Sequence, residues 1–228
     1  MARIDGFDVA SYPGDDLFRQ MRQFGFRVVC FYLAHKPGHP DTTWSRPRRD
    51  RLANQGWGFL PTYAGLQIGS HSLSAAHGRQ HADEAMQYAA SAGFLEGSVL
   101  YLDLEDGTVP SGAYADYVTA WIARVKAGNY MPALYCSHLL TTWAFEHVDV
   151  VWSFRIPSNT KGKTYDPSNL PSARIDARCI ATQYRQEIKL RGVDLPPSAD
   201  RGIDLDLCAV ADPSHVSIVS HRLRLDIA

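Results

Sequence analysis

The residues best suited to chemistry in this chain are carboxylates set two apart on strand-like runs. In LYLDLED (100–106), Leu100, Leu102 and Leu104 alternate with Tyr101, Asp103 and Glu105, and in GIDLDL (202–207) Asp204 and Asp206 alternate with Ile203, Leu205 and Leu207. A period of two marks a β-strand, so each acidic pair lies side by side on one face. A further acid, Asp8, ends the run IDGFD (4–8). Helical patterns flank LYLDLED on both sides, which predicts a strand covered by helices. Asp103 and Glu105 are then expected to face an enclosed space, where charge without a partner is costly and seldom kept without a use. An acid at a strand end more commonly caps a helix or anchors a turn, and for Asp8 or Asp206 alone that is the better reading. The pair on a covered strand is what points to a site. A carboxylic acid beside carboxylates is the equipment of glycoside hydrolysis. One group protonates the leaving oxygen, another acts as base, nucleophile or charge stabiliser, and flat rings hold the sugars.

The elements that must position these groups alternate along the chain. Strands are predicted at 4–8, 27–34, 57–65, 98–105, 131–137, 148–156, 178–185 and 201–210, with helices at 15–25, 48–56, 73–93 and 110–127 and over HLLTTWAFEH (138–147). Asp15 and Asp16 suit the positive end of the first helix, and Gly25 stops it. After Pro157 the rhythm weakens into loop-like sequence, and the residues between the last two strands, including VDLPPSAD, read as a loop or hairpin. The tail HVSIVSHRLRLDIA (215–228) alternates like an edge strand. The fold class expected is α/β, one (β/α)8 TIM-type barrel with irregular last units over 1–212, with 213–228 as a tail packing on the same domain. An open doubly wound sheet is the alternative. Its nucleotide-binding form needs a glycine-rich first turn, and DVASYPG (8–14) does not supply one.

Barrel enzymes place functional groups at the C-terminal ends of strands. Here those ends carry Asp8, Tyr32, Tyr63 with Gln67 just beyond, Asp103 and Glu105, Tyr135, Trp152 and Gln183, and the last strand carries Asp204 and Asp206. Tyrosine and tryptophan at such places serve packing as readily as binding.

Composition narrows the partners. A hydrophobic content of 45% suffices for a sizeable core, and a net charge of −1 gives no general pull toward nucleic acid or an anionic membrane. No apolar run is long enough to span a bilayer, and MARIDGFDV has no basic-then-apolar leader pattern. Cys30, Cys136, Cys179 and Cys208 fall in apolar strand-like runs without C-x-x-C spacing, and are expected as buried thiols, with a Cys179–Cys208 bridge as the one pairing the strand order allows. His77 and His81 stand four apart on the long helix, but His77 lacks the adjacent Glu of H-E-x-x-H, and solvated helix histidines are commoner than ligands. The run Arg46, Arg48, Arg49, Arg51 reads as a solvated helix start. No G-x-S-x-G, phosphate loop or Cys-His nucleophile pattern occurs. No metal or cofactor is expected.

GFDVASYPG at the start, YLDLED in the middle and GIDLDL near the end resemble the three acidic signatures of the family-25 glycoside hydrolases, lysozyme-type muramidases with an irregular barrel; ALYCS, VVWSFRI and ATQY are similar to that family's other strands. GFLPTYAGLQ and the helix HGRQHADEAMQYAASAGF resemble a sibling family more closely, the bacterial glycoside-hydrolase-like domain of unknown function. The resemblance covers nearly the whole chain. It implies Glu105 as general acid, Asp103 as the neighbouring carboxylate that tunes it or steadies an acetamido group, and Asp8 and Asp204 as flanking acids; Asp206 stands where muramidases often have Asn.

The function expected is therefore hydrolysis of a bacterial cell-wall glycan, peptidoglycan with N-acetyl sugars, by carboxylate acid/base catalysis. Asp103, Asp8 and Asp204 would support Glu105, and Tyr32, Tyr63, Gln67, Tyr135, Trp152, Gln183 and Asp206 would hold the substrate. A non-catalytic glycan-binding module on the same barrel is the alternative, and a metal-dependent hydrolase a more distant one, since hard-metal sites add further ligands at fixed spacing. The expected partner is a polysaccharide, met at the cell wall after export or as a released lysin. The sequence fixes no oligomeric state.

Overall fold

The structure, a computed structural model, describes residues 3–216. In chain order the elements are β1 (Ile4–Asp8), α1 (Asp15–Gln23), β2 (Val28–Lys36), the short β3 (His39–Pro40), α2 (Arg46–Asn54), β4 (Gly58–Tyr63), α3 (Ala75–Ala92), β5 (Val99–Leu104), α4 (Gly112–Ala127), β6 (Met131–Ser137), α5 (Thr141–His147), β7 (Val150–Phe154), the short β8 (Thr164–Tyr165), β9 (Ala181–Leu190) and β10 (Ile203–Cys208). Eight of the strands close a barrel in the order β1, β2, β4, β5, β6, β7, β9, β10 and back to β1. Neighbours are parallel from β1 round to β9, whereas β10 runs antiparallel to both β9 and β1.

Alternation along each strand sorts side chains between the lumen and the outer wall. Val28, Cys30, Leu60, Val99, Tyr101, Ala133, Val150, Trp152, Ala181 and Cys208 pack together in the lumen. Their neighbours Val29, Phe31, Phe59, Leu100, Leu102, Leu134 and Val151 pack outward, against helices that supply Leu17, Phe18, Ala85, Ala89, Tyr117 and Trp121. Both faces of these strands are buried, which is why they read as near-continuous apolar runs. The helix ends follow from local chemistry. Ser74 Oγ accepts from His77 N–H at 3.2 Å at the start of α3, and Gly93 ends it in the left-handed region at φ 91°.

The irregularity lies in the last units. α-Helices follow β1, β2, β4, β5 and β6, but among the described residues no α-helix follows β7 or β9, and only a single 3-10 turn at Pro197–Ala199 precedes β10. The long connection after β7 is tied down by Asp176, which accepts from Ser153 Oγ and Arg155 Nε, each at 2.9 Å, while its own N–H donates to Thr182 Oγ1 at 2.8 Å. β9 runs on to Leu190, five residues past the predicted Arg185, and returns to β10 as a hairpin. At the opposite end of the barrel from the strand C-termini, the chain after β10 closes the lumen. Val99 N–H donates to Ser214 O at 2.8 Å and Tyr101 O–H to Pro213 O at 3.0 Å. Gly58 is required there, because a Cβ would lie 1.9 Å from Ala211 O. The alternating tail, beyond Val216, lies outside the described residues.

All four cysteines are free and buried. Cys179 packs in the outer layer and Cys208 in the lumen, so the barrel wall separates the pair that strand order alone allowed.

Candidate active site

Four carboxyl groups converge at the mouth formed by the parallel strands' C-terminal ends. Asp8 closes β1 and Asp103 stands one residue before the end of β5. Asp204 and Asp206 arrive from the other direction. Because β10 is antiparallel, its beginning lies at the mouth: Asp204 pairs with Asp8, and Asp206 sits deeper, opposite Gly6 and Gln183. Gly6 makes this possible, since a Cβ there would lie 3.2 Å from Asp206 Cβ.

These acids are enclosed. Asp8, Asp103 and Asp206 are 7%, 6% and 0% exposed. Asp8 Oδ2 accepts from Tyr32 O–H at 3.2 Å and Asp206 Oδ1 from Trp152 Nε1–H at 3.0 Å, but Asp8 Oδ1, Asp103 Oδ1 and Asp206 Oδ2 are buried without a partner. Asp204 is better served. Gln183 Nε2–H donates to its Oδ2, and Glu187 N–H donates to its Oδ1 at 2.7 Å. A bulge in β9 aims that N–H, with Glu187 at φ 48° and the pairing slipping between Ile188 and Arg185. Gly202 is needed beside it, because a Cβ would come within 2.6 Å of the Glu187 carbonyl carbon.

Desolvation dominates the electrostatics. Burial, followed by the Glu105 charge, pushes the Asp103 carboxyl up to about 8. Burial and then Asp204 push Asp206 up to about 8, against the indole hydrogen bond. Asp204 rises to about 7 through burial, opposed by the Glu187 N–H and Gln183. Asp8 is held well above the usual carboxylate range by burial and then by Asp204 and Asp206.

Several sequence expectations need correction. Glu105 was expected in an enclosed position; β5 ends at Leu104, and Glu105 is exposed at the rim. The desolvation anticipated for it falls on Asp103. Tyr63 points the wrong way for a sugar contact. Thr62 is level with Tyr32 in the strand pairing, so Tyr63 projects into the helix layer, where its O–H donates to Glu84 Oε2 at 2.9 Å. Trp152 does face the lumen, but lies 1% exposed among Tyr101 and Tyr135, as support for Asp206 and not as an open platform. Gln67 spends both ends of its amide on the backbone, donating to Asp103 O at 2.9 Å and accepting from Glu105 N–H at 3.1 Å. Gln183 likewise accepts from Tyr135 O–H while donating to Asp204. Tyr32 and Tyr135 remain half-buried at the mouth beside the acids.

Sequence reasoning missed Thr62, joined to the buried Cys30 in the lumen by a 3.3 Å Sγ–Oγ1 hydrogen bond, and the backbone donor of Glu187. Only Gly202, directly before the acidic run, hinted at the latter. His77 is engaged by Ser74 Oγ and His81 by Tyr117 O–H, each at 2.9 Å. Among the described residues no group of three or more His, Cys, Asp or Glu side chains is arranged to hold a metal ion.

The closed eight-strand barrel, with acids gathered at its mouth, has a glycoside-hydrolase-like fold. The chain belongs to the Rv2525c-like, glycoside hydrolase-like domain family, whose model matches residues 19–194. The fold is similar to that of an uncharacterized B. stearothermophilus protein, with a TM-score of 0.64, 21% identity, and coverage of 90% of this chain and 95% of that one. It is also similar to the Mycobacterium tuberculosis Tat-secreted protein Rv2525c (TM-score 0.62, 18% identity, 92% and 96% coverage). A third similar structure is the modular autolysin LytC from Streptococcus pneumoniae in complex with a synthetic peptidoglycan ligand (TM-score 0.58, 12% identity, 90% of this chain and 46% of that one). A bacterial lysozyme from Streptomyces coelicolor is also among the structural neighbours (TM-score 0.58, 15% identity, 92% of this chain and 94% of that one). No curated protein matches the sequence.

Proposed function

We propose that the barrel mouth binds and hydrolyses a bacterial cell-wall glycan. The observation that carries this reading is the convergence of Asp8, Asp103, Asp204 and Asp206 in one desolvated pit with Glu105 on its rim. A glycan strand seated across the mouth brings its glycosidic oxygen to the exposed Glu105 carboxyl, whose acid proton is the one the reaction needs. Glu105 passes that proton to the leaving oxygen as the bond from C1 breaks. The positive charge that develops on C1 and the ring oxygen faces Asp8, Asp103 and Asp204, and water completes the hydrolysis. Gln67 and Gln183 act as positioning residues, and Tyr32 and Tyr135 offer ring faces and hydroxyls to the sugar. The peptidoglycan ligand of LytC supports this substrate class by similarity of fold.

The exposure of Glu105 favours a second reading, a glycan-binding module without turnover. Reducing-end release from purified peptidoglycan separates the two when wild type is compared with Glu105→Gln. Hydrolysis predicts wild-type release and a fall of roughly two to four orders of magnitude in the variant. A binding module releases nothing, and the substitution alters affinity alone.

A further inference from the structure

Resting on the glycan reading of this mouth, we infer that the sugar unit seated over Asp8, Asp103, Asp204 and Asp206 carries a free 2-amino group, an ammonium, in place of an acetamido group.

The pit is short of positive charge and of hydrogen-bond donors together. Asp8 Oδ1, Asp103 Oδ1 and Asp206 Oδ2 are buried and unpartnered, on side chains more than nine-tenths buried. Asp103 makes no side-chain hydrogen bond among the described residues. No Lys, Arg or His among them forms an ion pair with any of the four acids. The titratable groups facing the cluster do not make up the deficit. Tyr32 and Cys30 lie beside Asp8, Glu105 beside Asp103, Tyr135 near all four, and Glu187 beside Asp204. Among the described residues the cation that acts on the cluster is Lys161, which bears on Asp204 and is itself engaged by Glu187 at 2.8 Å.

An acetamido group brings a single N–H and a methyl, and gives these carboxyls no reason to ionise. An ammonium brings three N–H donors and a full positive charge. Opposite charge at close range favours the ionised carboxylates, so binding must lower the proton affinity of the acids and expel protons from them.

The test is calorimetric titration of the full chain at pH 5.5, where the amine is already an ammonium and the acids still hold protons, with a β-1,4-linked glucosamine tetramer and with its fully N-acetylated counterpart, each in two buffers of different ionisation enthalpy. The amino tetramer is expected to bind at least tenfold more tightly, with net proton release to the buffer. Asp103→Asn and, in case that variant misfolds, Asp206→Asn are each expected to shrink both the preference and the release. Equal affinity, a preference for the acetylated tetramer, or binding without proton release overturns the inference. Binding of the acetylated tetramer alone does so while leaving the glycan reading standing. Binding of neither overturns both. A preference that survives in both variants assigns it to charge elsewhere on the surface and overturns the inference as well.

Discussion

The indole N–H of Trp152 donates to Asp206 Oδ1 at 3.0 Å inside a lumen that excludes water from both side chains. Among the described residues it is the only side-chain hydrogen bond Asp206 receives, and its other oxygen is buried without a partner. Trp152→Phe keeps much of the volume and removes the donor. The expected cost is about 1–3 kcal/mol of stability, the range for leaving a buried polar group unsatisfied. Urea unfolding measures it, and a variant as stable as the wild type would mean that the indole serves as packing only.

Stability should depend on pH with a sign opposite to that of a salt-bridged carboxylate. Asp103 and Asp206 hold their protons in the fold up to about 8, whereas an unfolded chain releases them near 4. The folded state therefore binds more protons between those values. The contribution is fully present below about pH 4 and is lost as pH rises through 8. Melting temperature should fall between pH 5 and about 8 more steeply in the wild type than in Asp206→Asn, as followed by circular dichroism. Parallel curves for the two proteins would contradict the raised proton affinity.

Gln67 continues the β5 ladder where β4 has diverged from it. The last β4–β5 pair is Tyr63 with Leu102, and beyond it the Gln67 amide bridges Asp103 O and Glu105 N–H. Gln67→Ala is expected to cost roughly 1 kcal/mol of stability and, if the mouth hydrolyses glycan, to lower kcat more than it raises KM, because it frees the backbone of Glu105. Peptidoglycan turnover at several substrate concentrations separates these effects. A change confined to KM would assign Gln67 to substrate contact.

Gly58→Ala probes closure of the barrel's far end. The new Cβ would collide with the backbone at Ala211, only 1.9 Å away, and no flexible side chain is there to yield. Overpacking of a tight site typically costs about 1–3 kcal/mol, and a backbone neighbour places this one at the upper end. Chemical unfolding should show the loss without a change in proton uptake at the mouth, since the carboxyl pit lies at the other end of the lumen.

Much of this was legible in the chain. Alternation in LYLDLED and GIDLDL put Asp103 and Asp206 on inward faces, because period two is a local property of any strand. The strand–helix rhythm gave the barrel, and its weakening after Pro157 gave the missing last helices. Phase failed in GFLPTY, where every residue is buried and polarity marks neither face, so Tyr63 was assigned to the lumen that Thr62 occupies. Depth failed for Trp152. Its inward face followed from alternation, but its distance below the mouth is set by strand stagger around the closed sheet, which no single strand records.

The sequence by itself determined which residues are acids on strands and which strands are covered, since both rest on composition and periodicity within a few neighbours. Tertiary structure alone decided that β10 runs backwards, bringing Asp204 level with Asp8, and that β5 ends one residue short of Glu105. It also decided which carboxyl loses its water. Strand direction depends on the connection that closes the barrel, and desolvation depends on everything packed around a group, so neither is a property of the local run that contains it.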